Sequence, residues 1–169
     1  MEMIESKVTI NAACRVCRIC IKNCPEGAIS LAEQNKVTVD KSAWKGVMVY
    51  VEHYEGKIHP VTYELIGKAR ELAHEIDHPV YCLLMGSDIE KSGEELLYYG
   101  VDKVFLYDEA ELKRFRVDIY TNVFEDCIDK VKPSIVLIGG TPNGRSLAPA
   151  IATRCRTGLT ADCTRLEVK

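Results

Sequence analysis

Four cysteines near the N-terminus form the most chemically distinctive pattern in the chain. Cys14, Cys17, Cys20 and Cys24 follow the spacing C-x2-C-x2-C-x3-C, and Pro25 comes directly after the last of them. Thiolates are soft ligands, and tetrahedral sulfur coordination suits the iron atoms of an iron–sulfur cluster. Cysteines at intervals of three allow one tight loop to present three sulfurs to the same cluster. The spacing therefore predicts a [4Fe–4S] site with these four cysteines as metal ligands.

The role of Cys24 has an alternative. The run resembles those of two-cluster ferredoxins, in which the fourth cysteine ligates the other cluster. This chain has a single run and a single Cys-Pro pair, so we favour Cys24 as the fourth ligand, with an external ligand as the alternative. Free thiols and a structural zinc ion are the other interpretations. Zinc usually takes two separated cysteine pairs rather than an unbroken run.

Composition restricts the class of protein. The chain has 169 residues, of which 47% are hydrophobic and 28% charged, as in ordinary globular proteins. A net charge of −3 argues against a nucleic-acid partner. No apolar run approaches the roughly 18 residues of a membrane-spanning helix, so we expect no membrane insertion. We see no signal-peptide pattern in the first residues, and half of the eight cysteines have metal-ligand spacing, so we expect a cytoplasmic location.

The remaining cysteines and the histidines do not form a catalytic pattern. Cys82 falls in an apolar strand and Cys127 on an apolar helix face, so we expect buried, inert thiols at both positions. Cys155 is flanked by arginines and Cys163 lies near the end of the chain. No Ser/His/Asp or Cys/His set can be assigned. We therefore assign no catalytic residues, and together with the cysteine run this favours an electron carrier over an enzyme by itself.

Residues 1–42 are predicted to form a small ferredoxin-like α+β unit. Residues 7–10 predict a strand, and the cysteine loop and a helical turn follow. Residues 28–31 and 36–39 predict a hairpin around the polar turn at 33–35. A unit of this size buries little apolar surface, so metal binding should supply much of its folding free energy.

Residues 43–169 predict an α/β domain. Its strands are apolar on both faces and alternate with helices, which favours a doubly wound, mostly parallel sheet with helices on both faces. In the helix predicted at 60–77, the buried stripe is expected to consist of Leu65, Ala69, Leu72 and Ile76. Asp88 is expected to cap the next helix. The predicted strands are 45–52, 79–85, 101–107, 134–138 and 160–168, and the predicted helices are 60–77, 88–99, 109–115, 118–131 and 146–156.

A glycine-rich turn in the second unit is a competing site. Residues 139–146, GGTPNGRS, follow a strand and open a helix, and their spacing nearly matches the phosphate loop G-x4-G-K-[ST]. Arg145 stands where the loop has the lysine that reaches the outer phosphates. Backbone N–H groups at such a helix start can bind an anion. A nucleotide-binding domain therefore stays as an alternative, although a structural turn or a partner-contacting turn is favoured.

The second unit resembles the N-terminal domain of the electron transfer flavoprotein alpha subunit, over residues 46–169. The resemblance rests on four segments. These are VEHYEGKIHPVT at 51–62, YGVDKV at 99–104, PSIVLIGGTPNGR at 133–145 and TGLTADCT at 157–164. One departure is Cys155-Arg156, where the family usually has Leu-Gly before Thr-Gly-Leu-Thr.

The resemblance implies one half of a heterodimer that carries electrons between a dehydrogenase and another redox partner. Its partners would be the beta subunit, an acyl-CoA or hydroxy-acid dehydrogenase, and ferredoxin. Residues 1–42 resemble, in shortened form, the ferredoxin-like extension of some members from anaerobes. Some members also bifurcate electrons with two flavins. An interaction domain with a structural zinc clip is the alternative function.

The resemblance also implies where flavin belongs. In this family the C-terminal domain holds most of the FAD site, and that domain should follow residue 169. We therefore expect this chain to be a fragment of a longer subunit. FAD is expected in the full-length subunit only, and no FAD-binding residue is assigned in this chain.

Overall fold

The structure is a computed structural model that describes residues 2–4, 7–9, 14, 17–30 and 40–168. The chain divides into two compact units, Met1–Val39 and Asp40–Lys169. No described helix combines the length and apolar character that crossing a membrane requires.

The first unit begins with a small antiparallel pair of strands. β1 (Glu2–Ile4) pairs with β2 (Lys7–Thr9), which confirms the strand predicted at 7–10. A short helix, α1 (Ile19–Lys22), lies within the cysteine run. Residues 28–30 are not a strand, and the rest of the predicted hairpin, 31–39, lies outside the described residues.

The second unit is built on a four-stranded parallel sheet, as predicted. Its strand order is β7-β6-β3-β8, and all three pairings are parallel. Strands with apolar residues on both faces are stable only where both faces are covered. All five residues of the central strand β3 are buried. The strands of this sheet are β3 (Val47–Val51), β6 (Val80–Gly86), β7 (Lys103–Asp108) and β8 (Ile135–Leu137).

Helices cover both faces of the sheet, which confirms the doubly wound arrangement. Side chains of α2 and α3 join one buried cluster, with Val47, Val49 and Val51 from β3. Side chains of α4 and α5 join the other, with Met48 and Tyr50 from the same strand. The helices are α2 (Pro60–Ile76), α3 (Glu90–Leu97), α4 (Val117–Val131) and α5 (Pro142–Arg154).

The order of the strands places two chain segments side by side. From β3 the chain builds outward to β6 and β7, and then returns to place β8 on the other side of β3. The carboxyl ends of β3 and β8 therefore meet at the point where the strand order reverses. In open parallel sheets, ligands usually bind in the crevice beyond these strand ends. A two-stranded hairpin, β4 (His53–Tyr54) with β5 (Lys57–Ile58), follows β3 directly.

Helix α2 differs from its prediction in which residues it buries. Leu65 and Ile76 are only half-buried, so the predicted stripe is partly wrong. The buried face is turned by about one residue relative to the predicted stripe. It consists of Thr62, Ile66, Ala69, Leu72 and Ala73.

The start of α3 also differs from its prediction. Asp88 has φ 58° and does not cap the helix, which begins at Glu90. Instead the Asp108 carboxylate, at the end of β7, accepts hydrogen bonds from the Asp88 and Ile89 N–H groups at 2.8 and 3.0 Å. A contact across 20 residues thus holds the segment directly before the helix, in place of a local side-chain cap.

Three other elements depart from expectation. Residues 109–115 hold only a 3-10 turn, Ala110–Leu112. Helix α5 begins at Pro142 rather than at Ser146, because the glycine-rich turn itself forms the first helical turn. The strand predicted at 160–168 is wrong, since the described residues 155–168 contain no strand. Most of residues 160–168 are exposed, while Leu166 and Val168 pack against the core.

Candidate functional site

The four predicted ligand cysteines lie before, within and after α1. Cys14 and Cys17 are exposed, while Cys20 and Cys24 are half-buried. Arg18 has φ 63° directly before the helix, so the chain turns sharply between Cys17 and Cys20. None of these four thiols is in a disulfide. All four sulfurs therefore remain available as ligands.

A tight turn follows the last of these cysteines. The Gly27 N–H donates to the Cys24 carbonyl oxygen at 3.2 Å, which closes the turn through Pro25. Gly27 has φ 60°, a conformation that glycine adopts without a steric cost. The chain therefore changes direction directly after Cys24.

The donor set fits an iron–sulfur cluster in chemical type. All four candidate donors are thiols, and they fall within eleven residues of one another. Among the described residues, no three Cys, His, Asp or Glu side chains are grouped as a metal ion requires. Binding a cluster would therefore have to draw the four sulfurs together, as is common where metal binding and folding are coupled.

The other four cysteines differ in how deeply they are buried. Cys82 and Cys127 are fully buried, which confirms the prediction for both. Burial raises the pKa of the Cys82 thiol to about 12 and that of the Cys127 thiol to about 11. Cys155 is half-buried and its pKa is raised chiefly by burial, whereas Cys163 is exposed. Since the thiolate is the reactive form, the two buried cysteines should be inert.

The glycine-rich turn is tightly built at the start of α5. The Thr141 hydroxyl oxygen caps the helix by accepting from the Gly144 N–H at 3.0 Å. A side chain at position 144 would overlap the Gly139 carbonyl oxygen, so only glycine fits there. Pro142 occupies the first helical turn, where its missing N–H is not needed.

A carboxylate from the neighbouring strand end holds this turn. The Thr141 hydroxyl donates to Glu52 Oε2 at 2.5 Å, and Asn143 Nδ2 donates to Glu52 Oε1 at 3.2 Å. Glu52 directly follows β3, so the contact bridges the crevice between β3 and β8. It also places a negative charge at the N-terminus of α5, where the helix dipole favours it. A phosphate group would have to displace or approach this carboxylate.

Arg145 is engaged by the protein as well. Its Nε donates to the Gly140 carbonyl oxygen at 3.1 Å, and its Nη2 forms an ion pair with Asp162 Oδ1 at 2.8 Å. The ion pair is exposed, so it contributes little to stability, but it joins two segments. The residue in the place of the phosphate-binding lysine thus contacts the segment 157–164. The geometry supports a structural turn and not a nucleotide site.

Sequence reasoning did not identify Glu52. A signal was nevertheless present, because Glu52 is a charged residue directly after a buried strand, and such positions line the carboxyl edge of a parallel sheet. His53 beside it has a similar structural role. Its Nδ1 accepts from the Gly56 N–H at 3.2 Å, and its Nε2 lies 2.8 Å from the Met85 carbonyl oxygen, so Nε2 must carry the proton.

Comparison with known proteins adds the family. The family model described as "Electron transfer flavoprotein domain" matches residues 47–169. A 61% identical relative, over 98% of this chain and 40% of its own length, is "Lactate dehydrogenase (NAD(+),ferredoxin) subunit LctC" of Acetobacterium woodii. Electron transfer flavoprotein alpha subunits of Megasphaera elsdenii and Clostridium acetobutylicum are 40% and 41% identical. Each match covers 77% of this chain, and 38% and 39% of the relative.

The extents of these matches differ in an informative way. The match to LctC takes in 165 residues, so it extends into the cysteine-containing unit, whereas the two alpha-subunit matches take in 130 residues. The chain spans about two fifths of the length of these curated relatives. On the match to residues 47–169 and on these similarities to alpha subunits, the chain belongs to the electron transfer flavoprotein family.

Proposed function

We propose that this chain is the electron-transferring N-terminal part of an electron transfer flavoprotein alpha subunit, and that Cys14, Cys17, Cys20 and Cys24 hold a [4Fe–4S] cluster. The observation that carries the proposal is the set of four free thiols in cluster spacing, in a chain whose second unit is a domain of this family. When bound, the cluster supplies one-electron transfer. The similarity to LctC over 98% of the chain supports a functional link between the two units.

The residues around the thiols have separate roles in this proposal. The four thiolates bind, and the turn closed by Gly27 sets the direction of the chain after Cys24. Arg18 and Lys22 are exposed near the thiols. Their positive charges favour the more negative, reduced form of a nearby group, or an acidic surface on a redox partner.

The partners follow from the family. The alpha-subunit relatives support a heterodimer with a beta subunit, with FAD held by the full-length subunit. The names of two relatives, LctC and the acryloyl-CoA reductase electron transfer subunit beta of Anaerotignum propionicum, support a hydroxy-acid or an acyl-CoA dehydrogenase as electron donor or acceptor. The name of LctC also supports ferredoxin as a partner.

Iron analysis after anaerobic purification tests the proposal. We expect iron and acid-labile sulfide in about a four-to-four ratio per chain. Cys17→Ser should remove most of both, because a hydroxyl is a poor substitute for a soft thiolate ligand. Cys163→Ser is the matched control, since Cys163 is an exposed cysteine outside the run, and it should leave the iron content unchanged.

Two outcomes would contradict this assignment. Stoichiometric zinc without iron would favour the structural zinc clip. An unchanged iron content in Cys17→Ser would exclude the cysteine run as the ligand set. Cys24→Ala addresses the fourth ligand separately, because full cluster content in that variant would assign the fourth position to an external group.

A further inference from the structure

The outer edge of strand β7 is open in the second unit. Among residues 40–168, β7 pairs with β6 on one side and with no strand on the other. An edge strand presents unpaired N–H and C=O groups, which can pair with a strand of another chain. Proteins usually protect such edges with proline, bulges or several charges. Here the four residues 104–107, Val-Phe-Leu-Tyr, carry none of these.

The hydrogen bonds of the sheet show which residues point outward. Val47 N–H donates to the Pro79 carbonyl oxygen, so odd-numbered residues of β6 face β3. At the far end, the carbonyl oxygen of Gly86, an even-numbered residue, accepts from the Glu109 N–H at 2.9 Å. Glu109 therefore faces β6. Because the two sides of a strand alternate, the even-numbered residues of β7 direct their N–H and C=O groups away from the sheet.

We propose that this edge binds a second copy of the chain, with the two β7 strands antiparallel about a two-fold axis at Leu106. In this register the outward-facing Leu106 lies opposite its own copy, and Val104 lies opposite Asp108. All of these residues present free backbone groups, so the ladder is continuous across the axis. The two sheets would join into one. A two-fold interface of this kind requires a self-complementary surface.

The side chains of β7 meet that requirement. In the same register Lys103 lies opposite Glu109 of the second copy, and both side chains are exposed, so opposite charges meet at each end of the strand pair. Phe105 lies opposite Tyr107, an aromatic cross-strand pair. Self-complementary charge favours a second copy over an unrelated partner, which would need the reverse charge pattern on its own edge strand.

Exposed apolar side chains border the axis on the α3 side of the sheet. Leu106 is 39% exposed, although it is a large apolar residue in a strand. A Cβ atom at Gly93 on α3 would lie 3.6 Å from a Leu106 methyl carbon. Leu97, one helical turn further along α3, is 51% exposed. Pairing of two copies would cover these leucines.

The test measures oligomeric state and edge protection on the 169-residue chain. Sedimentation velocity over a range of concentrations should show a reversible monomer–dimer equilibrium. In the dimer, the amide protons of Val104, Leu106 and Asp108 should exchange more slowly as concentration rises. Leu106→Lys places two ammonium groups at the axis and should weaken dimerisation roughly tenfold or more. Leu159→Lys, at an exposed leucine elsewhere, is the control and should have no effect.

A charge exchange makes the register itself testable. Lys103→Glu should weaken the dimer because it places two glutamates opposite each other. The double variant Lys103→Glu with Glu109→Lys should restore it. A monomer at all concentrations would overturn the proposal, and so would a dimer in which these amides exchange as fast as in the monomer. Protection of the edge only after a beta subunit is added would assign the edge to that partner instead.

Discussion

Replacing Glu52 with alanine should weaken the link between the end of β3 and the start of α5. The change removes the acceptor for the Thr141 hydroxyl at 2.5 Å and for Asn143 Nδ2 at 3.2 Å. Hydrogen bonds to a charged group contribute roughly 1.5–3 kcal/mol each when buried, and less when half-exposed. Since Glu52 is half-buried, we expect a loss of about 2 kcal/mol in the free energy of unfolding.

Replacing Glu52 with glutamine tests the contribution of the charge while keeping the shape of the side chain. Glu52→Gln keeps one acceptor oxygen and the length of the side chain, so it should cost about 1 kcal/mol. Urea denaturation followed by far-ultraviolet circular dichroism measures both losses. Glu94→Ala, at an exposed glutamate of α3, is the control and should change stability by less than about 0.5 kcal/mol. If Glu52→Ala behaves like this control, the carboxylate does not hold the turn.

The same carboxylate should also exclude nucleotide phosphates from the start of α5. Calorimetric titration of the unchanged chain with ATP, ADP or AMP should give no heat of binding. A phosphate approaching the turn would meet the Glu52 charge, and Arg145 is already paired with Asp162. Saturable binding of any of the three nucleotides, lost on disruption of the turn, would restore the nucleotide-binding alternative.

Two further predictions concern the turn and the thiols. Gly144→Ala should destabilise the second unit by about 3 kcal/mol or more, because the added methyl group would overlap a backbone carbonyl oxygen. Gly140→Ala, which has open space at its Cβ, is the control and should cost at most about 0.5 kcal/mol. Equal losses of stability in urea denaturation would contradict this geometry. Alkylation of the folded chain at pH 8, followed by mass spectrometry, should find Cys163 modified and both Cys82 and Cys127 unmodified. Burial raises the pKa of the two buried thiols and limits access of the reagent to them. Labelling of either buried thiol at the rate of Cys163 would refute this prediction.

The sheet could be predicted because its signals are local. The apolar run around β3 and β6, and the spacing of Tyr120, Phe124 and Cys127 on α4, follow directly from periodicity, and all three of these α4 side chains are buried. The family resemblance, carried by four short segments, is likewise confirmed. Each of these features depends only on residues within about one helix or strand of sequence.

The features that escaped prediction depend on contacts between distant residues. Asp108 holds the segment before α3, whereas Asp88 does not cap the helix, and Glu52 reaches Thr141 across 89 residues. The segment at 160–168 has strand-like composition at its end, but a strand forms only where a neighbouring strand pairs with it. The ligand role of the cysteine run remains a prediction, because its spacing specifies the donors and not their final positions.

The division of the core into two layers has a consequence for how this domain can diverge. Val47, Val49 and Val51 pack toward α2 and α3, whereas Met48 and Tyr50 of the same strand pack toward α4 and α5. A backbone layer separates the two sets, and residues that share no contacts usually contribute additively to stability. Relatives can therefore exchange side chains in one layer without compensating changes in the other. Substitutions on one face of the sheet can thus create contacts with a new partner, while the packing on the opposite face keeps the fold stable.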